Sequence, residues 1–267
     1  MGDVTFISRM PSWALKGLVA RISGYSSKLE PSFSLETAEL VFPLVFNLGQ
    51  PWAIRLGREG DVHRKLSFTA GLFDGPVAVA ADAGAELLQV DLTPLGAARL
   101  FGGAAADLAA QVVDLSALDR FSGEYDAIHD QLYGVSDWQV RFDLIERFLA
   151  PRFEHPTSTR IQASWRLLAQ GKSVAETAAA IGWSTRHLSA QFRRETGIRP
   201  VTAARMLRFQ RARALALGDH SKGWAEIAAT AGFSDQAHMI RAFHDFAGEP
   251  PRAWAQRARP SEPRLQI

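Results

Sequence analysis

The chain repeats itself. Residues 181–200 read "IGWSTRHLSAQFRRETGIRP" and residues 231–251 read "AGFSDQAHMIRAFHDFAGEPP". Gly182 and Gly232 stand fifty positions apart, Phe192 and Phe243 fifty-one, so the second copy carries one extra residue between its glycine and its phenylalanine. Repetition at this scale fixes the architecture of the region that contains it. Each copy spells a short helix, a turn holding a glycine and an aromatic, and a second helix. Ala178 and Ala228 each precede their glycine by four, and side chains that small let two helices cross closely. Each glycine suits a left-handed turn position. Ile181, Leu188 and Phe192 are the expected core of the first copy, and Ala231, Met239 and Phe243 that of the second. This is the pattern of a helix-turn-helix, whose second helix enters the major groove of DNA. Single matches are common among Ala-rich helix pairs. Two in register, joined by one long helix, are specific.

Charge follows the same division. Residues 1–150 hold 12 Lys+Arg against 19 Asp+Glu, and residues 151–267 hold 18 against 9. A net of −7 thus precedes a net of +9, which points to a C-terminal part that meets a polyanion. The 47% apolar content is ordinary for a globular protein. There are no cysteines. That excludes disulfides, thiolate nucleophiles and cysteine metal sites, and fits a reducing cytosol. The stretch "WALKGLVARI", interrupted by Lys16 and Arg21, is too short for a secretory signal or a membrane span. The expected location is cytoplasmic, with no membrane partner.

Residues 1–38 read as an N-terminal arm, loosely ordered or carrying a short amphipathic helix. From 39 to 94 the texture is β: "ELVFPLVFNL", "WAIRL", "KLSFTAGLF", "VAVAA" and "ELLQVDL", separated by turn chemistry such as "GQP" and "DGP". Strands so spaced suggest a small barrel or sandwich. Helical patterns follow to about 152, and in the last of them Trp138, Phe142, Ile145 and Leu149 recur on one face. That face packs either on the barrel or on a partner's equivalent helix. Pro151 and Pro156 mark the domain boundary. Beyond it lie seven helical segments between 157 and 256, among them Ser173 and Glu176 in capping-box spacing and a long helix from Pro200 to Gly218. Residues 257–267 form a tail.

Residues 157–256 resemble the DNA-binding domain of AraC/XylS-type transcription regulators. The resemblance rests on Gly232, Phe233, Ser234, Asp235, Arg241, Phe243, Gly248, Pro250 and Pro251. Met239 and Trp254 depart from the family's usual aromatic and tyrosine, and His244-Asp245 stands where a basic pair is common. The resemblance implies seven helices with two helix-turn-helix units on a linker helix. It also implies an N-terminal cupin-like β-barrel followed by helices used for dimerisation. The expected fold class is therefore α+β in two domains, a small barrel with flanking helices (39–152) and an all-α domain (157–256).

The recognition helices are expected at about 184–195 and 235–246. Candidate base contacts are Thr185, Arg186, Ser189 and Ala190 in the first, and Gln236, Ala237, His238 and Arg241 in the second. Arg186 leads, because a guanidinium can hold guanine O6 and N7 together. Gln236 can pair bidentately with adenine, while His238 is equally readable as a surface histidine. Ser184, Arg193, Arg194, Arg199 and Arg252 are candidate phosphate contacts. Arg205, Arg208, Arg211 and Arg213 lie on the linker that would hold the units rigidly.

Phe42, Phe46, Trp52, Phe68 and Phe73 are candidate lining for an effector pocket, although aromatics on strands are more often core. His63 is the only histidine before His129, so the cluster a metal-dependent cupin enzyme needs is missing. No metal, cofactor or catalytic residue is expected. The reading is a sequence-specific regulator on double-stranded DNA, with RNA polymerase, a small-molecule effector and a second copy of the chain as further candidate partners. Two alternatives stand beside it. One is an enzyme with a DNA-targeting helical domain, such as an alkyl-damage acceptor, whose chemistry uses the cysteine this chain lacks. The other is a small-molecule carrier, which would leave the doubled motif and the +9 charge without a purpose.

Overall fold

The strands begin earlier than the sequence texture announces. The computed structural model describes residues 4–27, 32–121, 123–218 and 222–258. Strands β1 (Val4–Arg9), β2 (Val19–Ser27) and β3 (Ser32–Glu36) occupy the segment expected as an arm. Among the described residues of that segment, only Trp13–Leu15 is helical, as one 3₁₀ turn. The two-residue alternation that would have revealed β2 is broken by a register shift between Val19 and Arg21. The strand is held by its neighbours on both sides more than by its own pattern. Then follow β4 (Phe42–Asn47), β5 (Trp52–Leu56), β6 (Val62–Lys65), β7 (Phe68–Ala70), β8 (Val77–Ala81) and β9 (Glu86–Leu92). Helices α1 (Pro94–Phe101) and α2 (Ala104–Asp107), strand β10 (Val112–Asp114), α3 (Tyr125–Tyr133) and α4 (Trp138–Leu149) complete the first domain.

Its ten strands form two antiparallel sheets, ordered β1-β2-β9-β4-β7-β10 and β3-β8-β5-β6. The expected closed barrel is absent: each sheet keeps its edges. The larger sheet is covered on both faces, which explains why β4 is buried along its whole length. Phe42, Leu44 and Phe46 point to the helical side, where Phe142, Ile145 and Leu149 meet them in one core. Val45 points the other way, into a second core with Trp52, Ile54, Phe68 and Val79 between the sheets. Helix α4 therefore spends its apolar face on its own domain. Trp138 lies against Gly24, where an added Cβ would stand 2.3 Å from the indole, and buried Arg141 reaches Glu86 at 2.6 Å.

Seven helices make the second domain: α5 (Thr159–Ala169), α6 (Val174–Ala180), α7 (Thr185–Thr196), α8 (Pro200–Gly218), α9 (Trp224–Ala231), α10 (Gln236–Ala247) and α11 (Pro251–Ala258). Helix α8 buries Ala203, Met206, Phe209, Ala212 and Ala216 along one stripe. Phe209 meets Phe243 edge-on at 4.9 Å and Phe246 at 5.3 Å, tying the linker to α10.

The domains meet at matching points of the repeat. Gly197 ends α7 and Gly248 ends α10, both left-handed, at φ 80° and 74°. Gly197 sits on α2, where a Cβ would come within 2.5 Å of the Ala109 Cβ. Gly248 sits against Pro76 and Leu35, at 3.3 and 3.4 Å from such a Cβ. Beside it the Ala38 N–H donates to the Phe246 carbonyl at 2.7 Å and Arg58 donates to the Gly248 carbonyl. Arg213 of α8 pairs with Glu39 at 2.9 Å. Glu36 lies buried within this contact, accepting from the Ser34 hydroxyl. Burial pushes its carboxyl up to about 7, against the pull of Ser34, Arg257 and Arg213 and with a further push from Glu39.

Two predictions follow from the contact. The folded protein holds a proton on Glu36 that an unfolded chain, with its carboxyl at the ordinary 4.5, has released. This contribution to stability is complete below 4.5 and is lost as pH rises through about 7. The full loss is on the order of 3 kcal/mol, and Glu36→Gln should flatten it in urea unfolding at several pH values. Separately, Gly197→Ala and Gly182→Ala both place a side chain at positive φ, at a cost of about 1–2 kcal/mol. Only Gly197 has neighbours within 4 Å of the new methyl. Gly197→Ala should therefore lower the melting temperature further than Gly182→Ala does; equal losses would mean that the domains do not meet there.

Candidate DNA interface

The second helix of each unit starts on a side-chain cap. Ser184 accepts from the His187 N–H at 3.1 Å to open α7, and Asp235 accepts from the His238 N–H at 2.7 Å to open α10. The cap stands two residues after Gly182 but three after Gly232, which is where the extra residue of the second copy goes. Both glycines are left-handed, at φ 71° and 89°. Helix α6 opens with the expected capping box, the Ser173 N–H donating to Glu176 at 2.8 Å. Leu188, Phe192 and Ala178 are buried in the first unit, and Met239, Phe243, Ala228 and Ala231 in the second. Ile181 is only half-buried.

With those positions inside, the opposite faces of α7 and α10 stay at the surface. Ser184, Thr185, Arg186, Ala190, Arg193, Arg194 and Arg199 are exposed and Ser189 is half-buried. Gln236, Ala237, Arg241 and Arg252 are exposed and His238 is half-buried. Among the described residues, Arg186, Arg193, Arg194, Arg199, Arg241 and Arg252 make no ion pair with the protein's own carboxylates. Exposed guanidinium groups without carboxylate partners raise the local positive potential that a phosphate backbone would meet.

The linker arginines behave differently. Arg205 pairs with Asp245 at 2.5 Å and lies over Phe246. Arg208 donates to the Gly232 carbonyl at 3.5 Å and lies over Phe233, and Arg211 donates to the Ala169 carbonyl at 2.5 Å. Arg213 is the partner of Glu39. These four hold helices together. Asp245, the acid near the C-terminal end of α10, is thereby neutralised from within.

Two surface groups escaped the sequence reading. His187 is exposed in α7 and meets Trp183 edge-on at 4.6 Å; His238 meets Phe233 edge-on at 5.3 Å. The repeat aligns the two histidines, and that alignment was the available signal. Arg160 of α5 lies 5.5 Å over the Trp183 ring, a contact that no local pattern encodes.

The first domain contains a cleft between its sheets, with Pro43, Ile54, Leu56, Phe68, Phe73 and Val79 in its wall and Glu39 as its charged lining residue. Phe68 and Phe73 are thus where a pocket would need them. Phe42 and Phe46 are not, because the strand's two-residue period turns both to the helical side. Trp52 is in the core between the sheets, outside the cleft wall. Among the described residues no group of three or more His, Asp or Glu side chains gathers to hold a metal, and no helix is long and apolar enough to cross a membrane.

The comparisons with known proteins fit this division. Residues 177–257 match the family model described as a helix-turn-helix domain. No curated protein matches the chain. Over nearly the whole length the fold is similar to that of ToxT from Vibrio cholerae O395, with a TM-score of 0.52 at 7% identity, covering 96% of this chain and 98% of that one. A crystal structure of ToxT with an unsaturated fatty acid bound is similar at a TM-score of 0.50 and 8% identity, covering 96% of each chain. An AraC-type DNA-binding regulator from Chromobacterium violaceum matches 38% of this chain over 95% of its own, at 28% identity and a TM-score of 0.35. A strand-rich domain thus carries, at its C-terminal side, a helical domain that matches a helix-turn-helix model, in a two-domain fold similar to that of ToxT.

Proposed function

We propose that the protein is a sequence-specific regulator of transcription that places α7 and α10 in successive major grooves of double-stranded DNA. The observation that carries this reading is the paired surface. Two capped helices keep their outer arginines unneutralised, while every arginine expected on the linker is spent on holding the helices in place. Within α7, Arg186 is the base reader, and Ser189 and Ala190 are small enough to let the helix lie close to the base edges. Ser184, Arg193, Arg194 and Arg199, with Arg252 after α10, hold phosphates. Gln236, Ala237, His238 and Arg241 form the second reading surface, with Thr185 completing the first. The protein acts by binding rather than catalysis, in the cytoplasm, and the regulated promoter decides its geometry toward RNA polymerase.

The cleft between the sheets supports an effector site in the first domain. It is largely apolar, and its charged lining residue, Glu39, pairs with Arg213 of the linker. An occupant there would bear on the contact between the domains. The similar ToxT structure has an unsaturated fatty acid bound, so fatty acids and their neutral analogues are the first compounds to test. A ligand of the cleft should raise the melting temperature of the native chain and lose that effect in Leu56→Trp, which fills the cleft's wall; an unchanged shift would place the ligand elsewhere. Dimerisation, if it occurs, uses a surface other than the apolar face of α4, which is already covered.

Selection of random duplexes by the purified chain tests the main reading. The expected product is a site with two short blocks about one helical turn, roughly 10 bp, apart. Arg186→Ala should relax the first block at a cost of about 1–3 kcal/mol while leaving the second intact. Affinity for the selected duplex should fall steeply with salt, because several phosphates are neutralised. A shallow salt slope, or no retention on duplex DNA, would overturn the proposal.

A further inference from the structure

The second recognition helix carries a histidine whose proton is placed by its neighbours. The Ser234 hydroxyl lies 3.0 Å from Oδ2 of Asp235 and 3.1 Å from Nδ1 of His238. Asp235 is the helix cap, its other oxygen accepting the His238 backbone N–H at 2.7 Å. That bond, with the Ser234 hydroxyl, holds the Asp235 carboxyl below the usual carboxylate range. A carboxylate only accepts, and a hydroxyl has one proton to give. The Ser234 proton therefore goes to Asp235, and what Ser234 turns toward His238 is a lone pair. Nδ1 must supply the proton of that bond. In the neutral imidazole Nε2 is then bare, an acceptor at the outer end of the ring. The ring is steadied by Phe233, met edge-on at 82°. No hydrogen bond from a described residue reaches Nε2.

We infer that His238 is a specificity-determining residue that accepts a hydrogen bond from an exocyclic base amine, adenine N6 or cytosine N4, in the major groove. This rests on the proposal that α10 enters that groove. Guanine presents only acceptors along its major-groove edge, and thymine presents an acceptor and a methyl, so neither matches a bare Nε2. The aligned His187 has no such device. Its cap, Ser184, is a serine whose hydroxyl bonds the backbone N–H, and no side chain fixes the imidazole proton. The extra residue of the second copy is what makes room for serine and aspartate side by side.

The test uses the full-length chain and the duplex it selects, at mildly alkaline pH where an imidazole carries one proton. The base pair whose preference is relaxed by His238→Ala is located first. Two analogues are then placed there in turn: one that lacks the exocyclic amine, and a 7-deazapurine that lacks the N7 acceptor. Deleting the amine should weaken the native protein about tenfold, within the range of a single good base contact. It should leave His238→Ala unaffected, and the deazapurine should be neutral for both. Ser234→Ala, which frees the imidazole proton to move to Nε2, should reduce the penalty for the missing amine while Asp235 still caps the helix. The inference is overturned if the deazapurine weakens binding and the amine deletion does not, or if His238→Ala changes no base preference in a duplex that is otherwise selected normally. Selection of no duplex at all would instead remove the DNA-binding proposal on which it stands.

Discussion

The contact on which the molecule's organisation depends is the seating of two helix ends. Gly197 and Gly248 occupy the same place in the repeat, and both rest on the first domain, one on α2 and the other on the β3–β8 side of the smaller sheet. A recognition helix has its reading end at the N-terminus and its free carbonyls at the other. Anchoring both C-termini on one support fixes how the two N-termini are presented. The linker α8 sets the distance between the units, and the first domain constrains their tilt. Side chains at either glycine would both strain the backbone and, at Gly197, overlap α2.

That seat is electrostatically uneven, and the unevenness has a direction. Arg213 is matched by Glu39 and Arg257 by Glu249, so Glu36 is the acid left over. A buried carboxyl without a cation of its own gains more by keeping its proton than by ionising. The interface therefore comes together most readily with Glu36 neutral. The cleft reaches the same cluster through Glu39, so a molecule bound between the sheets and the proton on Glu36 would act on one contact. Coupling of this kind needs only that each favours one arrangement of the two domains.

The helical half was nearly all legible in the sequence, and for a physical reason. Caps, glycine stops and the three-to-four spacing of Leu188, Phe192, Met239 and Phe243 are local rules, and the repeat states them twice. The observed α7 and α10 each begin one residue after the expected cap. The strand-rich half obeys non-local rules. β4 was readable because a central strand buried on both faces is a nearly continuous apolar run, and β9 because Leu87, Leu88, Val90 and Leu92 outnumber its buried Gln89 and Asp91. β2 was not, since its bulge breaks the alternation, and β6, with Val62, His63, Arg64 and Lys65, is an edge strand whose one apolar residue, Val62, is exposed. Whether strands close into a barrel or stop as two sheets depends on which edges pair, and no single strand carries that information. The pocket candidates divided at the same level, with Phe68 and Phe73 in the cleft wall and Phe42, Phe46 and Trp52 outside it. Phe42 and Phe68 look alike in the sequence, and only the pleat direction decides which faces the helices and which the cleft.

The outer faces of α7 and α10 differ in kind, and the difference follows from a single inserted residue. In the first unit the turn has room for Ser184 alone, and the helix that follows is arginine-rich, with Arg186, Arg193 and Arg194 all unneutralised. Guanidinium groups donate and never accept, so this unit is suited to guanine and to phosphate. In the second unit the added position gives a serine–aspartate pair that both caps the helix and orients His238, and Asp245 is cancelled by Arg205. Its surface carries less charge and more hydrogen-bonding variety: an amide at Gln236, an imidazole at His238 and a guanidinium at Arg241. A duplex bound by both would owe much of its salt sensitivity to the first unit and much of its base discrimination to the second. One scaffold stands twice in the chain, and one added residue in the turn is enough to give the two copies different surface chemistry.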